Sequence, residues 1–266
     1  MRIVVCVKYV PDATADRTFD PDTLRVDRTG VDGILSELDE HAVEAALALA
    51  EDSSEQIETM ALTVGPEGAT EAIKKALQIG LDAGVHVTDE AIAGSDPIAT
   101  SLVLAKAIET LDAETRVDLV LCGMASTDGG MSVVPAMLAE RLGRPMVTFA
   151  SELQVSADTV TIRRDSDNAT QTVEATLPAV VSVTDQANEP RYPAFKSIMA
   201  ARKKPVRTLG LADIDVPAEQ VGAGAARTAV ESFTARPARQ RGTIVTDDDG
   251  DGGRQLVEFL AERKLA

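Results

Sequence analysis

Apolar residues in this chain fall into short runs separated by polar, glycine-marked loops, and the runs are of two kinds. Residues 2–7 are β-branched with no polar alternation, and comparable runs recur at 57–64, 85–87, 117–122, 146–149 and 179–183. Strands of this sort predict a parallel sheet covered on both faces, since strict alternation is expected only where one face meets water. Between them, apolar residues return at helical spacing over 42–50, 69–79, 97–111 and 131–142. Ser36 and Asp39 have the S-x-x-D spacing of a capping box ahead of the first helix. Pro97 falls in the first turn of the third, where its missing N–H does no harm. Gly80 and Gly143 stop the second and fourth helices. From 152 the pattern changes to alternating segments at 152–155, 159–164 and 170–175, an antiparallel excursion before the sheet resumes. The fold class that follows is α/β, a mostly parallel, doubly wound sheet.

Beyond Pro205 the character changes again. Residues 207–240 are small and polar with little periodicity, residues 247–253 read as a solvated acidic turn, and 255–265 form a last amphipathic helix. The expected organisation is an α/β domain over 1–206, including a loop at 186–204, followed by a C-terminal arm over 207–266. Such an arm lies either on the chain's own body or on a partner subunit.

Composition narrows the function. The chain has 266 residues, 43 Asp plus Glu against 26 Lys plus Arg, and a formal net charge of -17. Its 18 Arg outnumber its 8 Lys. A surface of this charge repels itself in dilute buffer and is screened by salt, which points to a high-salt cytoplasm of the halophilic archaeal kind. Nucleic acid is disfavoured as a partner, because only Arg202, Lys203 and Lys204 offer a basic footprint. No run reaches the ~20 apolar residues of a membrane span, so the expected location is cytoplasmic. Cys6 and Cys122 each end an apolar run and form no C-x-x-C, which predicts buried thiols. His41 and His86 have no further ligands at useful spacing, so no zinc site is expected.

Candidate chemistry gathers in two places. In open parallel sheets, ligands bind beyond the carboxyl ends of the strands at the switch in strand order. The loops expected there are 8–12, 65–68 and 123–132. The last, from Gly123 to Ser132, supplies glycines, hydroxyls and a following helix N-terminus, a combination suited to phosphate. It is neither a Walker A loop nor a G-x-G-x-x-G, so a nucleotide cradle and an ordinary strand-to-helix connection both stand at this point. Asp128 is the carboxylate placed to meet a ribose hydroxyl or simply solvent. No nucleophile constellation is present, because Ser126 and Ser132 lack a G-x-S-x-G frame and a histidine partner. The second place is the segment from Val183 to Pro205, which carries Arg191, Tyr192, Phe195, Lys196, Ile198 and Met199. Tyr192 and Phe195 are two of only five Phe and two Tyr. Aromatic and cationic side chains on one polar loop are the makings of an interface, against the plainer account that Arg202, Lys203 and Lys204 cap a helix C-terminus.

The sequence resembles the β subunits of electron-transfer flavoproteins over nearly its whole length. The residues that carry the resemblance are Val4 to Lys8 with Val10, Pro11 and Asp12, then Ala42 to Ala46, Thr63 to Pro66, and Gly123 to Asp128. Above all they are Asn188 to Tyr192 with Ile198, Met199, Lys203 and Lys204. The resemblance implies a fold related to adenine-nucleotide-binding domains, an α-subunit partner wrapped by the C-terminal arm, and an FAD shared with that subunit. It also implies AMP, or in bifurcating members a second FAD, held in this subunit. The matching positions are Cys6, Ser36, Val64 and the loop with Gly123, Asp128, Gly129, Gly130, Met131, Ser132, Val133 and Val134. The segment after Asn188 corresponds to a recognition loop that docks flavin dehydrogenases of the acyl-CoA type, as in fatty acid oxidation, with Phe195 where the family often places a leucine. Electrons would leave transiently to a membrane quinone reductase or another acceptor, and this subunit would be a carrier rather than an enzyme. The family's D-x-D and following glutamine are absent from the nucleotide loop, and Ser36 replaces the usual asparagine, which leaves backbone contacts to hold a nucleotide. Val10, Pro11 and Asp12 are closer to bifurcating or nitrogen-fixation-type relatives than to mitochondrial ones. The alternative is a nucleotide-binding stress-protein-like sensor with no redox role.

Overall fold

A computed structural model describes residues 1–235, 237, 241–242, 244, 246–247 and 249–265. The chain begins with β1 (Arg2–Cys6), the short strands β2 (Tyr9–Pro11), β3 (Phe19–Asp20), β4 (Arg25–Val26) and β5 (Gly33–Leu35), and helix α1 (Glu37–Asp52). There follow β6 (Glu58–Val64), α2 (Thr70–Ile79), β7 (Ala83–Val87), α3 (Pro97–Glu114), β8 (Leu119–Gly123), α4 (Val134–Leu142) and β9 (Met146–Ala150). The antiparallel strands β10 (Glu152–Ser156), β11 (Thr159–Ser166) and β12 (Ala169–Thr176) come next, then β13 (Ala179–Val183), α5 (Phe195–Ala201) and β14 (Val206–Leu209). A single turn, α6 (Gly222–Ala225), and α7 (Gly252–Glu262) complete the chain.

The apolar strands form one parallel sheet of seven, in the order β14-β7-β6-β1-β8-β13-β9. Successive residues of each inner strand enter opposite cores, as the twofold period of a strand requires. Ile3, Val5, Ala61 and Leu121 pack beneath α1 and α2 with Val43, Leu47, Ile73 and Leu77. Val4, Leu62, Val85 and Val120 pack against α3 and α4 with Val103, Ile108 and Leu138. The chain leaves β1 in one direction through β6 and β7 and reappears on its other side as β8, so the order reverses at the β1/β8 pair. The alternating segments form the separate sheet β10-β11-β12.

Two sequence expectations need correction. Residues 207–240 were expected to lack periodicity, yet Val206–Leu209 is an edge strand parallel to β7, with Val206 opposite Gly84 and Leu209 opposite Val87. Only Leu209 of its four residues is buried, so the strand leaves no apolar run to read. Arg236, Ala238, Arg239 and Gln240 of that stretch lie outside the described residues. The fourth helix begins at Val134 rather than 131, because Gly130 and Ser132 have φ of 60° and 56°, left-handed backbone that a helix cannot contain.

One compact unit runs over Met1–Glu231 and a second over Ser232–Ala266. Within the second, α7 exposes Leu256, Val257 and Phe259, and the Arg263 guanidinium lies 4.3 Å over the Phe259 ring. Of the acidic turn at 247–253, Asp248 lies outside the described residues; Asp247 accepts from the Gly252 N–H at 3.0 Å. Among the described residues, no helix is long and apolar enough to cross a membrane.

The first unit is closed by Asp96. Its Oδ1 caps α3 by accepting from the Ala99 N–H at 2.9 Å. Oδ2 accepts from the N–H groups of Arg227 at 2.7 Å and Thr228 at 3.1 Å, and from the Thr228 hydroxyl at 3.2 Å. Burial opposes its ionisation, but the backbone donors outweigh it and hold the carboxyl below its ordinary range. A lowered pKa gives stability that is present above the unfolded value near 4 and lost as pH falls. Asp96→Ala removes the cap and leaves the buried Ala99 N–H without its acceptor, an expected cost of about 1–3 kcal/mol at pH 7. Urea unfolding checks this, and with Asp96→Asn the gap from the parent chain should narrow as the pH drops below about 4.

Candidate functional site

The loops that follow β1 and β8 emerge side by side at the reversal of strand order. Their first contact is Asp39, in the opening turn of α1. The expected capping box does not form there: Ser36 makes no side-chain cap, and Asp39 turns into the sheet edge instead. Its Oδ2 accepts from the Lys8 N–H at 2.8 Å, and the Gly123 N–H also donates to this carboxyl. The Lys8 N–H lies just past β1 and the Gly123 N–H at the last residue of β8, and a carboxylate between them answers both. Gly123 is required here, since a Cβ would stand 2.6 Å from Asp39 Oδ1 and 2.7 Å from the Leu38 carbonyl. Burial dominates the titration of Asp39, and despite those donors and the nearby Lys8 its pKa is pushed up to about 7.

Above Asp39 lies an ion cluster. Lys8 Nζ meets Asp128 Oδ1 at 2.8 Å and Ser126 Oγ at 3.3 Å. Arg28, from the excursion after β1, meets Asp128 Oδ2 with Nε at 2.9 Å and Nη2 at 2.6 Å. Arg17 donates to the Thr127 carbonyl. The Asp128 side chain is 1% exposed. Its burial resists ionisation, yet Lys8 and the donors around it hold the carboxyl far below the carboxylate range. With both oxygens engaged, Asp128 is an anchor for the loop, and the ribose contact considered from sequence is not open to it. Lys8 and Arg28 thus pair with one firmly ionised carboxylate, and Arg17 brings a third cation to the backbone of the same loop.

Three hydroxyl oxygens at this edge are buried without a hydrogen-bond partner: Ser36 Oγ, Thr63 Oγ1 and Thr127 Oγ1. Ser36 donates its N–H to the Lys8 carbonyl at 2.9 Å, Thr63 is near the end of β6 beside β1, and Thr127 belongs to the ion-cluster loop. Buried polar groups are normally satisfied, and such exceptions call for an account. Cationic side chains, glycine backbone and unpaired hydroxyls at the end of parallel strands fit a phosphorylated ligand.

The expected site residues divide accordingly. Cys6 and Cys122 face each other in register on β1 and β8, both buried and free. Val64 closes β6. Gly129 and Gly130 are exposed at the loop tip with Met131, while Ser132, Val133 and Val134 lead half-buried into α4. Sequence reasoning missed the convergence of Arg17 and Arg28 on this loop, about 100 residues away, for which no local pattern exists. Lys8 and Asp39 were visible, but as a loop residue and a helix cap. An open groove of about 420 Å³ also lies along the carboxyl ends of β8, β9 and β13, lined by Met124, Phe149, Arg164, Asp165, Thr184 and Gln186 among others.

The segment after β13 is the second site. Tyr192 is 95% exposed and Phe195 80%. Lys196 and Met199 are exposed on α5, and Ile198 is half-buried. Arg191, expected on the outer surface, turns its guanidinium to Glu44 and Glu51 of α1.

Residues 23–214 match the electron transfer flavoprotein domain family. The chain is 43% identical to the electron transfer flavoprotein subunit beta of Mycobacterium bovis over 99% of its own length and 98% of that protein's. It is 32% identical to the subunit of the same name from Megasphaera elsdenii, over 100% and 98%. It is 33% identical to the caffeyl-CoA reductase-Etf complex subunit CarD of Acetobacterium woodii, over the full length of both. For the site, Asp39→Asn and a site-specific carbon-13 titration are informative. The parent carboxyl should titrate near pH 7, and a midpoint below 5 would show that burial does not govern it. A raised carboxyl pKa gives stability that is present below about 4 and lost as the pH rises through 7. The stability of the parent relative to Asp39→Asn should therefore decline over that interval.

Proposed function

Since the chain belongs to the electron transfer flavoprotein family as a β subunit, an electron carrier and not an enzyme, we propose that it works as one half of a heterodimer whose α subunit carries an FAD. The observation that carries the reading is the pairing of a strand-end loop met by Lys8, Arg17 and Arg28, with unsatisfied hydroxyls beside it, with a separate loop that holds Tyr192 and Phe195 in solvent. When bound, the flavin supplies the one- and two-electron chemistry. The protein residues bind, orient and exclude water. The groove beside Phe149 and Arg164 gives a concave face for the shared flavin, and the apolar face of α7 covers, or is covered by, the α subunit.

A nucleotide, AMP or a second FAD, would be held by the ends of β1, β6 and β8. Ser36, Thr63 and Thr127 supply hydroxyls to it, the residues from Gly123 to Val134 supply backbone N–H groups, and Lys8 with Arg28 offsets phosphate charge. Cys6 and Val64 form the floor beneath. The Tyr192 and Phe195 loop enters an apolar pocket on a flavin dehydrogenase of the acyl-CoA type, a class supported by the Acetobacterium relative's place in a caffeyl-CoA reductase complex. Electrons then pass to a membrane quinone reductase or another acceptor. The charge of -17 supports adaptation to high salt, so the thermal midpoint should rise between low and molar salt.

Co-expression with the α subunit, followed by quantification of released cofactors, tests the assignment. One FAD and one AMP per heterodimer make a simple carrier, two FAD make a bifurcating one, and failure to form a heterodimer refutes the reading. Phe195→Ala should weaken docking by at least about 30-fold, the loss of one buried interface anchor. Unchanged electron transfer from the dehydrogenase would remove Phe195 from that role.

A further inference from the structure

The exposed loop holds its aromatic side chains in solvent, and a free loop of this kind would lose entropy each time it docked. It is instead fastened at both ends. Asn188 Nδ2 donates to the His41 carbonyl at 2.9 Å, and His41 Nδ1 lies 3.1 Å from the Asn188 carbonyl and 3.2 Å from its Oδ1. Arg191 Nε and Nη2 meet Glu44 Oε2 and Oε1, both at 2.8 Å, while its N–H donates to the same Oε2 at 3.1 Å. The guanidinium extends to Glu51, with Nη1 on Oε1 and Nη2 on Oε2 at 2.9 Å. His41, Glu44 and Glu51 are three and seven residues apart and share one face of α1. Past α5, Lys204 Nζ donates to the carbonyls of Leu77 at 3.1 Å, Gly80 at 2.7 Å and Leu81 at 2.6 Å, where α2 ends.

From this arrangement we propose that Asn188, Arg191 and Lys204 are positioning residues that preorganise the docking loop, and that contact with the partner belongs to Tyr192, Phe195 and their neighbours on α5. The proposal rests on the docking role given above to that loop. Arg191 is suited to the task because its planar fork pairs with two carboxylates at once, which a lysine ammonium cannot reproduce. Glu44 is the critical acceptor: its side chain is 11% exposed, so it depends on Arg191 for its charge partner.

The test uses the α–β heterodimer as the varied substrate of a butyryl-CoA-oxidising acyl-CoA dehydrogenase, together with hydrogen exchange of the loop amides. Arg191→Gln should raise KM at least tenfold with kcat within about twofold, leave the cofactor content unchanged and speed exchange over 189–200 alone. Arg191→Lys, which keeps the charge but loses the fork, should also raise KM. Arg191→Gln combined with Glu44→Gln relieves the unpaired buried carboxylate; thermal stability should return while KM stays high and exchange stays fast. Parent-like KM in Arg191→Lys would overturn the proposal, because charge rather than placement would then suffice. Recovery of KM with stability in the double variant would also overturn it, by reducing Arg191 to a general structural role. Phe195→Ala separates the two levels. If it raises KM while Arg191→Gln does not, positioning fails and docking stands; if neither does, the docking role itself falls.

Discussion

Two parallel strands that end next to one another present backbone N–H groups side by side, and the buried carboxylate of Asp39 is the answer this chain gives at β1 and β8. Its position fixes where α1 starts, and the positive end of the helix favours a carboxylate in its first turn. Once α1 is set, its outward turns carry His41, Glu44 and Glu51 to the segment after β13. Both functional surfaces therefore take their geometry from one helix. The constraint is tight, because the space beside Asp39 accepts only glycine at 123.

Positive charge is scarce here, and its distribution is informative. Lys8, Arg17 and Arg28 converge on one loop, and Arg191 and Lys204 are engaged in fastening another. Lys196, Arg202 and Lys203 remain exposed on or just after α5, beside the two aromatic side chains.

The parallel sheet and the antiparallel excursion were legible because each depends on the local period of apolar residues, whereas the strand order that puts the reversal between β1 and β8 is set by long-range pairing. Strands such as β6 and β13 are buried on both faces and read as unbroken runs. The edge strand β14 was not legible, since exposure removes the pattern. Among site residues, the loop from Gly123 and the aromatic pair were visible through their types. Arg28 beside Asp128, and Arg191 beside Glu44, are pairings across 100 and 147 residues that spacing cannot express. The Ser36 and Asp39 spacing misled, because S-x-x-D has the same form whether the carboxylate closes its own helix or reaches a neighbouring strand. Notably, the motif from Ala42 to Ala46 and the motif from Asn188 to Tyr192, separate marks of the family in sequence, are the two halves of one contact in space.

That contact has a consequence for how such a carrier changes over time. The groups that hold the loop face inward and answer to α1 and α2, while the groups at its tip answer only to whatever they meet. Selection on partner choice can then act on Tyr192 and Phe195 without disturbing the fold, as a tool bit is changed in a fixed chuck. On the docking role proposed for this loop, Phe195 is one setting of an adjustable end, and the same bracket could serve a succession of different partners.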